Sequence, residues 1–163
     1  MKAISTEIKW GIYFSLMTLL WMTLEKVAGL HDVYIDKHPI YTNFIAIPAI
    51  TLYVFALREK RFKDLGGNMT YKQALMSGFY ITLVVTILAP LTQWITTHII
   101  TPEFFPNVIR YVISHNMMTK EEALNQFNEK NYMIQSVVGA PIMGMMTTAI
   151  VGFFVKGTKQ EKV

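Results

Sequence analysis

The chain has 163 residues, of which 52% are hydrophobic and only 16% are charged, and its mean hydropathy is +0.32. A soluble domain usually carries about 25% charged residues, so this composition indicates a surface that faces something other than water, and the length suggests one domain. The lack of cysteine excludes disulfides and thiolate metal sites. The net charge of +4 does not indicate a nucleic-acid partner, because the charges cluster at the ends of apolar segments.

Four apolar segments follow one another along the chain, at residues 8–30, 40–57, 74–95 and 133–155. A bilayer core about 30 Å thick needs roughly 20 helical residues to cross it, and only helices satisfy their backbone groups within one segment there. The sequence therefore predicts an all-α fold, a four-helix transmembrane bundle that forms one integral membrane domain over residues 1–163. A cleaved signal peptide is the alternative for the first segment, but the charged pair Glu25–Lys26 interrupts the region where a cleavage site is small and neutral.

Lysine and arginine residues are distributed unevenly between the two ends of these segments. Ten of them precede the first segment, link the second to the third, or follow the fourth: Lys2, Lys9, Arg58, Lys60, Arg61, Lys63, Lys72, Lys156, Lys159 and Lys162. Five lie on the opposite side: Lys26, Lys37, Arg110, Lys120 and Lys130. The positive-inside rule therefore predicts that both termini and the link between the second and third segments lie in the cytoplasm. The basic cluster at residues 58–63 sets this topology, and it is also suited to anionic lipid headgroups.

Two connections carry local helix signals. After the Gly66-Gly67 breaker, Thr70 and Gln73 have the spacing of a capping box for the third span, and Thr119 and Glu122 have the same spacing. The long connection at residues 103–130 is predicted to form an outer cap whose first helix lies in the membrane interface. The apolar residues of that helix recur at helical spacing: Phe105, Val108, Ile109, Val112 and Ile113.

Small residues recur at four-residue steps in the later spans. They are Ala140, Gly144, Thr148 and Gly152 in the fourth span, with Gly78 in a similar stripe of the third. In lipid, close backbone approach through small residues supplies much of the packing between helices. The stripe therefore predicts packing within one chain, and a homodimer face is the alternative. Pro90 and Pro141 are expected to kink their helices, since each removes a backbone hydrogen bond.

Each span also places one polar residue near its outer end: Glu25, Asn43, Gln93 and Gln135. A carboxylate in a membrane segment usually faces the protein interior and finds a partner there, which makes Glu25 a functional candidate. In a structural interpretation, Glu25 hydrogen-bonds to neighbouring helices and sets their register. In a functional interpretation, an outward-opening pocket binds a cation or a polar headgroup. The candidate ligand-binding residues are Glu25, His31, Asp32, Asn43, Gln93, His98 and Gln135, with His38 as a further histidine.

A metal site is a third interpretation of this polar layer, because imidazole and carboxylate groups suit zinc. No two histidines have the close helical spacing of a strong metal motif, however, and the sequence assigns no metal ligand and no cofactor. The sequence contains no motif for nucleophilic, metalloprotease or nucleotide-dependent catalysis.

Four stretches together resemble a family of small four-span bacterial inner-membrane proteins catalogued as a domain of unknown function. They are "WMTLEKVAGLH", "HPIYTNFIAIPAITLYVFALREKR", "GGNMTYKQALMSG" and "ITPEFF", and they are spread over nearly the whole chain. The resemblance implies the topology and carries no activity, cofactor or catalytic residue. It implies that these positions are characteristic: Glu25, Gly29, His31, the Gly66-Gly67 turn and Pro102.

The sequence as a whole predicts a non-enzymatic protein that binds a lipid, a ligand or a partner, or serves as an accessory subunit. Its expected partners are membrane lipids and either a second copy of the chain or another membrane protein. A small oligomeric transporter or channel is the first alternative, since four spans rarely enclose a pathway alone. A membrane-embedded enzyme is the second, and it requires Glu25 and a histidine to lie within hydrogen-bonding distance.

Overall fold

The structure, a computed structural model, describes residues 4–157, and that part of the chain forms six helices. We number them α1 (Ser5–Val27), α2 (His38–Asp64), α3 (Tyr71–Ile100), α4 (Phe104–Ser114), α5 (Lys120–Gln126) and α6 (Glu129–Val155). α2 includes a 3₁₀ segment at Thr42–Ile45 and ends in a π-helical turn, as α3 also does. Residues 4–157 contain no strand apart from a single bridge between Met69 and Gly157, so the all-α prediction is confirmed there.

Three of these helices, α2, α3 and α6, are long and apolar enough to cross a membrane. α2 begins two residues before the predicted second span and continues through the basic residues that follow it, which gives a helix of 27 residues instead of a short one. α3 likewise extends beyond the predicted third span at both ends, and α6 extends beyond the predicted fourth span at its N-terminal end. These lengths and compositions support a membrane protein.

The predicted first span is not among the three. α1 is a helix of 23 residues, but it is less apolar than the other long helices. Charged residues occupy both of its ends: Glu7, Lys9, Glu25 and Lys26. The four-span architecture is therefore not established by helix length and composition, because these polar ends lower the hydropathy of α1.

The local helix signals are confirmed. The Thr70 hydroxyl accepts a hydrogen bond from the Gln73 amide, and the Gln73 side chain accepts one from the Thr70 amide, so a capping box starts α3. Thr119 and Glu122 form the same arrangement at α5. Both donors would otherwise be unpaired at a helix start. The Gly66-Gly67 turn is also present, since both glycines have positive φ, at 62° and 97°.

α3 packs most extensively against α6, through the small residues of both helices. Gly78 lies directly against the Thr148 side chain, and Gly152 lies against Ala74, which a Cβ at Gly152 would approach to 3.1 Å. Gly144 faces Thr82, whose hydroxyl also hydrogen-bonds to Tyr53 of α2 at 2.8 Å. Ala140 is half-buried one turn earlier. The predicted stripe of α6 is therefore used inside the chain, and α1 packs on the other side of α3.

The connection at residues 103–130 is largely helical, as predicted, with α4 and α5 separated by a turn at Asn116. α4 buries Phe104 and Val112, and α5 buries Ala123. Phe104 also contacts Tyr132 near the start of α6, with ring centroids 6.0 Å apart. This contact holds the start of α4 against α6. Pro90 and Pro141, the two prolines expected to kink their helices, lie inside helices that continue past them.

Candidate functional site

The chain reverses direction at the end of α1, and a glycine makes the reversal possible. Gly29 has a φ of 77°, in the left-handed region that favours glycine. The Leu30 amide donates to the Glu25 carbonyl at 3.0 Å, and the Gly29 amide donates to the Lys26 carbonyl at 3.0 Å. This pair of bonds is a Schellman motif, which satisfies the last carbonyls of a helix. The motif returns His31 over the last turn of α1, beside the Glu25 side chain.

Glu25, His31 and His38 converge there, and we call these three residues the Glu25 cluster. The Glu25 Oε2 atom lies 3.2 Å from His31 Nε2 and 3.5 Å from His38 Nε2. The indole of Trp21 donates a hydrogen bond to the other carboxylate oxygen, Oε1. Glu25 is 2% exposed and His31 is 3% exposed, so the carboxylate is withdrawn from solvent. A buried carboxylate needs such partners, because removing an unpaired charge from water is costly.

The cluster is held in place by α4. The Phe104 ring packs against both imidazoles, with centroid distances of 5.2 Å to His31 and 5.1 Å to His38. The side-chain amide of Asn107 donates to the His31 carbonyl at 3.1 Å. His38 is the first residue of α2, so α1, α2, α4 and the loop after Gly29 all contribute to the arrangement. Four segments thus restrict the two imidazole rings.

A cavity of about 270 Å³ adjoins the cluster. His31 and His38 line it together with nine further residues, most of them threonine or aromatic: Met22, Thr42, Gln93, Thr96, Thr97, Thr101, Phe104, Phe105 and Tyr132. Within residues 4–157, the buried Nδ1 atom of His31 has no hydrogen-bond partner. A mainly apolar cavity with a few convergent polar groups is the usual form of a small-ligand site.

Three residues of the predicted layer lie at this cavity or in the cluster. Glu25 and His31 are adjacent to each other, and Gln93 lines the cavity while donating a hydrogen bond to the Thr97 hydroxyl at 3.1 Å. His38, which the sequence offered only as one of several histidines, is the second imidazole of the cluster. Glu25 therefore takes its partners from its own helix, from the loop and from the first residue of α2. The end of a neighbouring helix is one of the partners that the structural interpretation allowed, whereas the partners described for Glu25 include neither Gln93 nor Gln135.

The other predicted residues lie on exposed parts of the surface. Asp32 accepts a hydrogen bond from the amide of the next residue, and Asn43 donates to a carbonyl one turn earlier in its own helix. His98 stacks on Trp94 and lies 3.8 Å from Glu129. Gln135 is exposed on α6. These four side chains are thus not buried with Glu25, and their role in ligand binding stays a prediction.

Sequence reasoning missed a second buried carboxylate at the opposite end of α1. Glu7 is 1% exposed, and its Oε1 atom lies 2.9 Å from the Lys60 ammonium and accepts a hydrogen bond from Ser77 at 2.9 Å. Lys60 also pairs with Asp64 at 3.1 Å, and Asp64 accepts a hydrogen bond from Thr6 at 2.9 Å. The four-residue spacing of Lys60 and Asp64 was visible in the sequence, but Glu7 is distant along the chain. We give the name Glu7 network to five residues: Glu7, Lys60, Ser77, Asp64 and Thr6.

Comparison with known proteins confirms one part of the resemblance, a family of unknown function. No curated protein and no solved structure matches the chain. Residues 9–157 match a protein family described as "Protein of unknown function (DUF4199)", and this match includes the Glu25 cluster and every helix of the fold except the first turn of α1. Because the match covers most of the chain, the protein belongs to the DUF4199 family of unknown function.

Proposed function

We propose that the protein is a four-span bacterial inner-membrane protein with both termini in the cytoplasm, and that it binds a small ligand from the outer side without catalysing a reaction. Three long apolar helices and the uneven distribution of lysine and arginine support the topology. The convergence of a buried carboxylate and two imidazoles beside a cavity is the observation that supports binding.

The arrangement of α1 supports a fourth span despite its charges. With 23 residues at 1.5 Å each, α1 is about 34 Å long, enough for a bilayer core of about 30 Å. Its two carboxylates, Glu7 and Glu25, are buried against the rest of the protein. The residues that α1 exposes at four-residue steps are apolar: Ile8, Ile12, Leu16, Leu20 and Leu24. The side of α1 that faces outward is therefore suited to lipid.

The topology can be tested directly, because the chain contains no cysteine. Single cysteines at exposed positions, Ile4→Cys, Lys63→Cys and Lys120→Cys, would be labelled in intact cells with a membrane-impermeant maleimide. We expect Lys120→Cys to react at once, and Ile4→Cys and Lys63→Cys to react only after permeabilisation. Labelling of Ile4→Cys together with Lys120→Cys would mean that α1 does not cross the membrane. Labelling of Lys63→Cys in intact cells would reverse the orientation.

Ligand binding can be tested by native mass spectrometry of the full chain released from lipid nanodiscs. We expect the wild-type protein to retain an added mass that Glu25→Gln loses, because the amide removes the negative charge while keeping the size of the side chain. Gln126→Glu is a matched control, since it makes the opposite change at an exposed position of α5 outside the candidate ligand-binding residues. A wild-type spectrum of the bare chain alone would contradict the proposed binding.

A membrane-embedded enzyme is the second candidate, and one observation favours it. Glu25 and His31 lie 3.2 Å apart, within the distance at which a carboxylate orients an imidazole for proton transfer. The two candidates differ in what happens to the retained molecule. A binding protein returns it unchanged after incubation, whereas an enzyme converts it in the wild type and not in Glu25→Gln.

A further inference from the structure

We propose that the Glu25 cluster is a binding site for a divalent transition-metal ion, with Zn²⁺ as the best match. This inference deepens the proposed function, since it names the ligand class of the same site. The donor set is one carboxylate oxygen and two imidazole nitrogens, which suits zinc and its neighbours among the transition metals. The sequence did not assign this site because His31 and His38 lie in different elements.

The distances within the cluster fit a tetrahedral ion. Metal–ligand bonds of about 2.0–2.1 Å at tetrahedral angles place neighbouring ligand atoms roughly 3.3–3.5 Å apart. Glu25 Oε2 lies 3.2 Å from one imidazole nitrogen and 3.5 Å from the other. A ligand atom from each of the three residues can be chosen so that all lie within 4.8 Å of one another. The two distances from Glu25 Oε2 to the imidazole nitrogens are thus close to the spacing of neighbouring ligands on one ion.

The charges around α1 provide an independent argument. α1 buries two carboxylates, and Glu7 is paired with the ammonium group of Lys60. In the part of the chain that the structure describes, the ion-pair partners of Glu25 are both histidines. Lys26 and Lys37 are close in sequence, but Lys26 is exposed and the Lys37 ammonium lies 4.7 Å from the Tyr34 ring. Glu25 therefore has imidazoles in the place where Glu7 has a permanent cation, and a bound metal ion would place a permanent positive charge beside Glu25 as well.

The surrounding residues hold the donors as supporting groups do in metal sites. Trp21 binds the Oε1 atom of Glu25, which leaves Oε2 facing both histidines. Asn107 fixes the backbone of His31, and Phe104 restricts both rings. Three protein ligands leave one position of a tetrahedral ion for water or a ligand, as in catalytic zinc sites. The cavity of about 270 Å³ beside both histidines gives that position access to a small molecule.

The test is a titration with Co²⁺ alone, followed by displacement with Zn²⁺. The full chain is purified without a polyhistidine tag, placed in nanodiscs and treated with a chelator. Four-coordinate Co²⁺ has a visible absorption far stronger than that of the hydrated ion. We expect one Co²⁺ per chain, displaced by an equal amount of Zn²⁺, with the stoichiometry checked by elemental analysis. Substitution of a supporting residue outside the ligand set usually weakens metal binding roughly 10–100-fold. Glu25→Gln and His38→Gln should each weaken Co²⁺ binding by more than that.

His115→Gln is the matched control, because this exposed histidine at the end of α4 contacts the Tyr111 carbonyl of its own helix and lies outside the Glu25 cluster. It should bind Co²⁺ as the wild type does. Thermal unfolding of each metal-free variant shows whether it is folded. If Glu25→Gln does not fold, His38→Gln still tests the site, because the His38 imidazole is more exposed than that of His31. A wild-type protein without the Co²⁺ spectrum, or cluster variants that retain it, would overturn the metal site. If the wild type then still holds another molecule in native mass spectrometry, only the metal inference fails.

Discussion

The substitution Gly78→Ala tests the contact at which α3 and α6 approach most closely. Gly78 faces Thr148, and a Cβ added at Gly78 would lie 2.6 Å from the Thr148 Cβ and even closer to its hydroxyl and methyl groups. Ordinary contacts between carbon atoms are about 3.5–4.0 Å. Rotation of the Thr148 side chain about its Cα–Cβ bond leaves Cβ in place, so the two helices must separate by about 1 Å.

The expected loss follows from two opposing effects. Overpacking of this kind costs roughly 1–3 kcal/mol, whereas replacing a helical glycine with alanine returns about 0.5–1 kcal/mol of helix propensity. We expect a net loss of about 1–2 kcal/mol, which for a chain of this size lowers the Tm by about 2–8 °C. Gly139→Ala is the matched control on α6, because nothing lies within 4 Å of the added Cβ. That variant should be unchanged or slightly more stable.

Thermal unfolding of the three proteins in the same detergent, followed by circular dichroism, measures these differences. A double variant, Gly78→Ala with Thr148→Gly, should lose less stability than the sum of its single variants, because it removes the side chain that the new methyl group meets. If Gly78→Ala and Gly139→Ala have the same Tm, the close contact between α3 and α6 does not exist in the folded protein. Additive losses in the double variant would place the two residues apart.

Three further predictions concern the two ends of the molecule. Lys60→Met should destabilise the protein by about 3–5 kcal/mol, since it leaves Glu7 buried without its cation. The double variant with Glu7→Leu should recover most of that loss in the same melting assay. A double variant that recovers none of it would contradict the pairing. Asn107→Ala should weaken Co²⁺ binding about 10-fold, and an unchanged affinity would mean that its hydrogen bond does not position the cluster. The Thr119 amide, and to a smaller extent the Thr119 hydroxyl, donate to the Glu122 carboxylate and lower its pKa. This cap therefore stabilises α5 fully at pH values above the ordinary glutamate pKa, and the stabilisation is lost as the pH falls through the lowered pKa. The Thr119 amide resonance should follow that titration in NMR, and a midpoint at or above the ordinary glutamate pKa would refute the cap.

Local signals in the sequence were sufficient for several parts of the fold. The capping boxes at Thr70 and Thr119 depend on residues three positions apart, and both are present. The outer helix α4 was visible from its apolar spacing, and the long apolar runs of α2, α3 and α6 were visible from composition. In each case the interacting groups lie within one or two helical turns, so a short stretch of sequence contains the information.

The candidate site could be predicted only in part. Glu25 was identified because a carboxylate at the end of an apolar segment is unusual, and His31 because it follows closely. His38 was not singled out, since its approach depends on the Gly29 reversal and on where α2 begins. The pairing of Glu7 with Lys60 joins residues far apart along the chain. No local pattern distinguishes a lysine that sets topology from one that is buried against a carboxylate.

That the protein is helical, strongly apolar and capped at defined positions follows from its composition and from neighbours in the chain. Which polar groups meet depends on how the helices pack. That packing places the two carboxylates of α1 toward the interior and a row of its aliphatic residues outward, and it joins one buried carboxylate to a lysine and the other to two histidines. The physical reason is that a buried charge must find a partner wherever the packing of the helices supplies one, and that packing is a property of the whole chain.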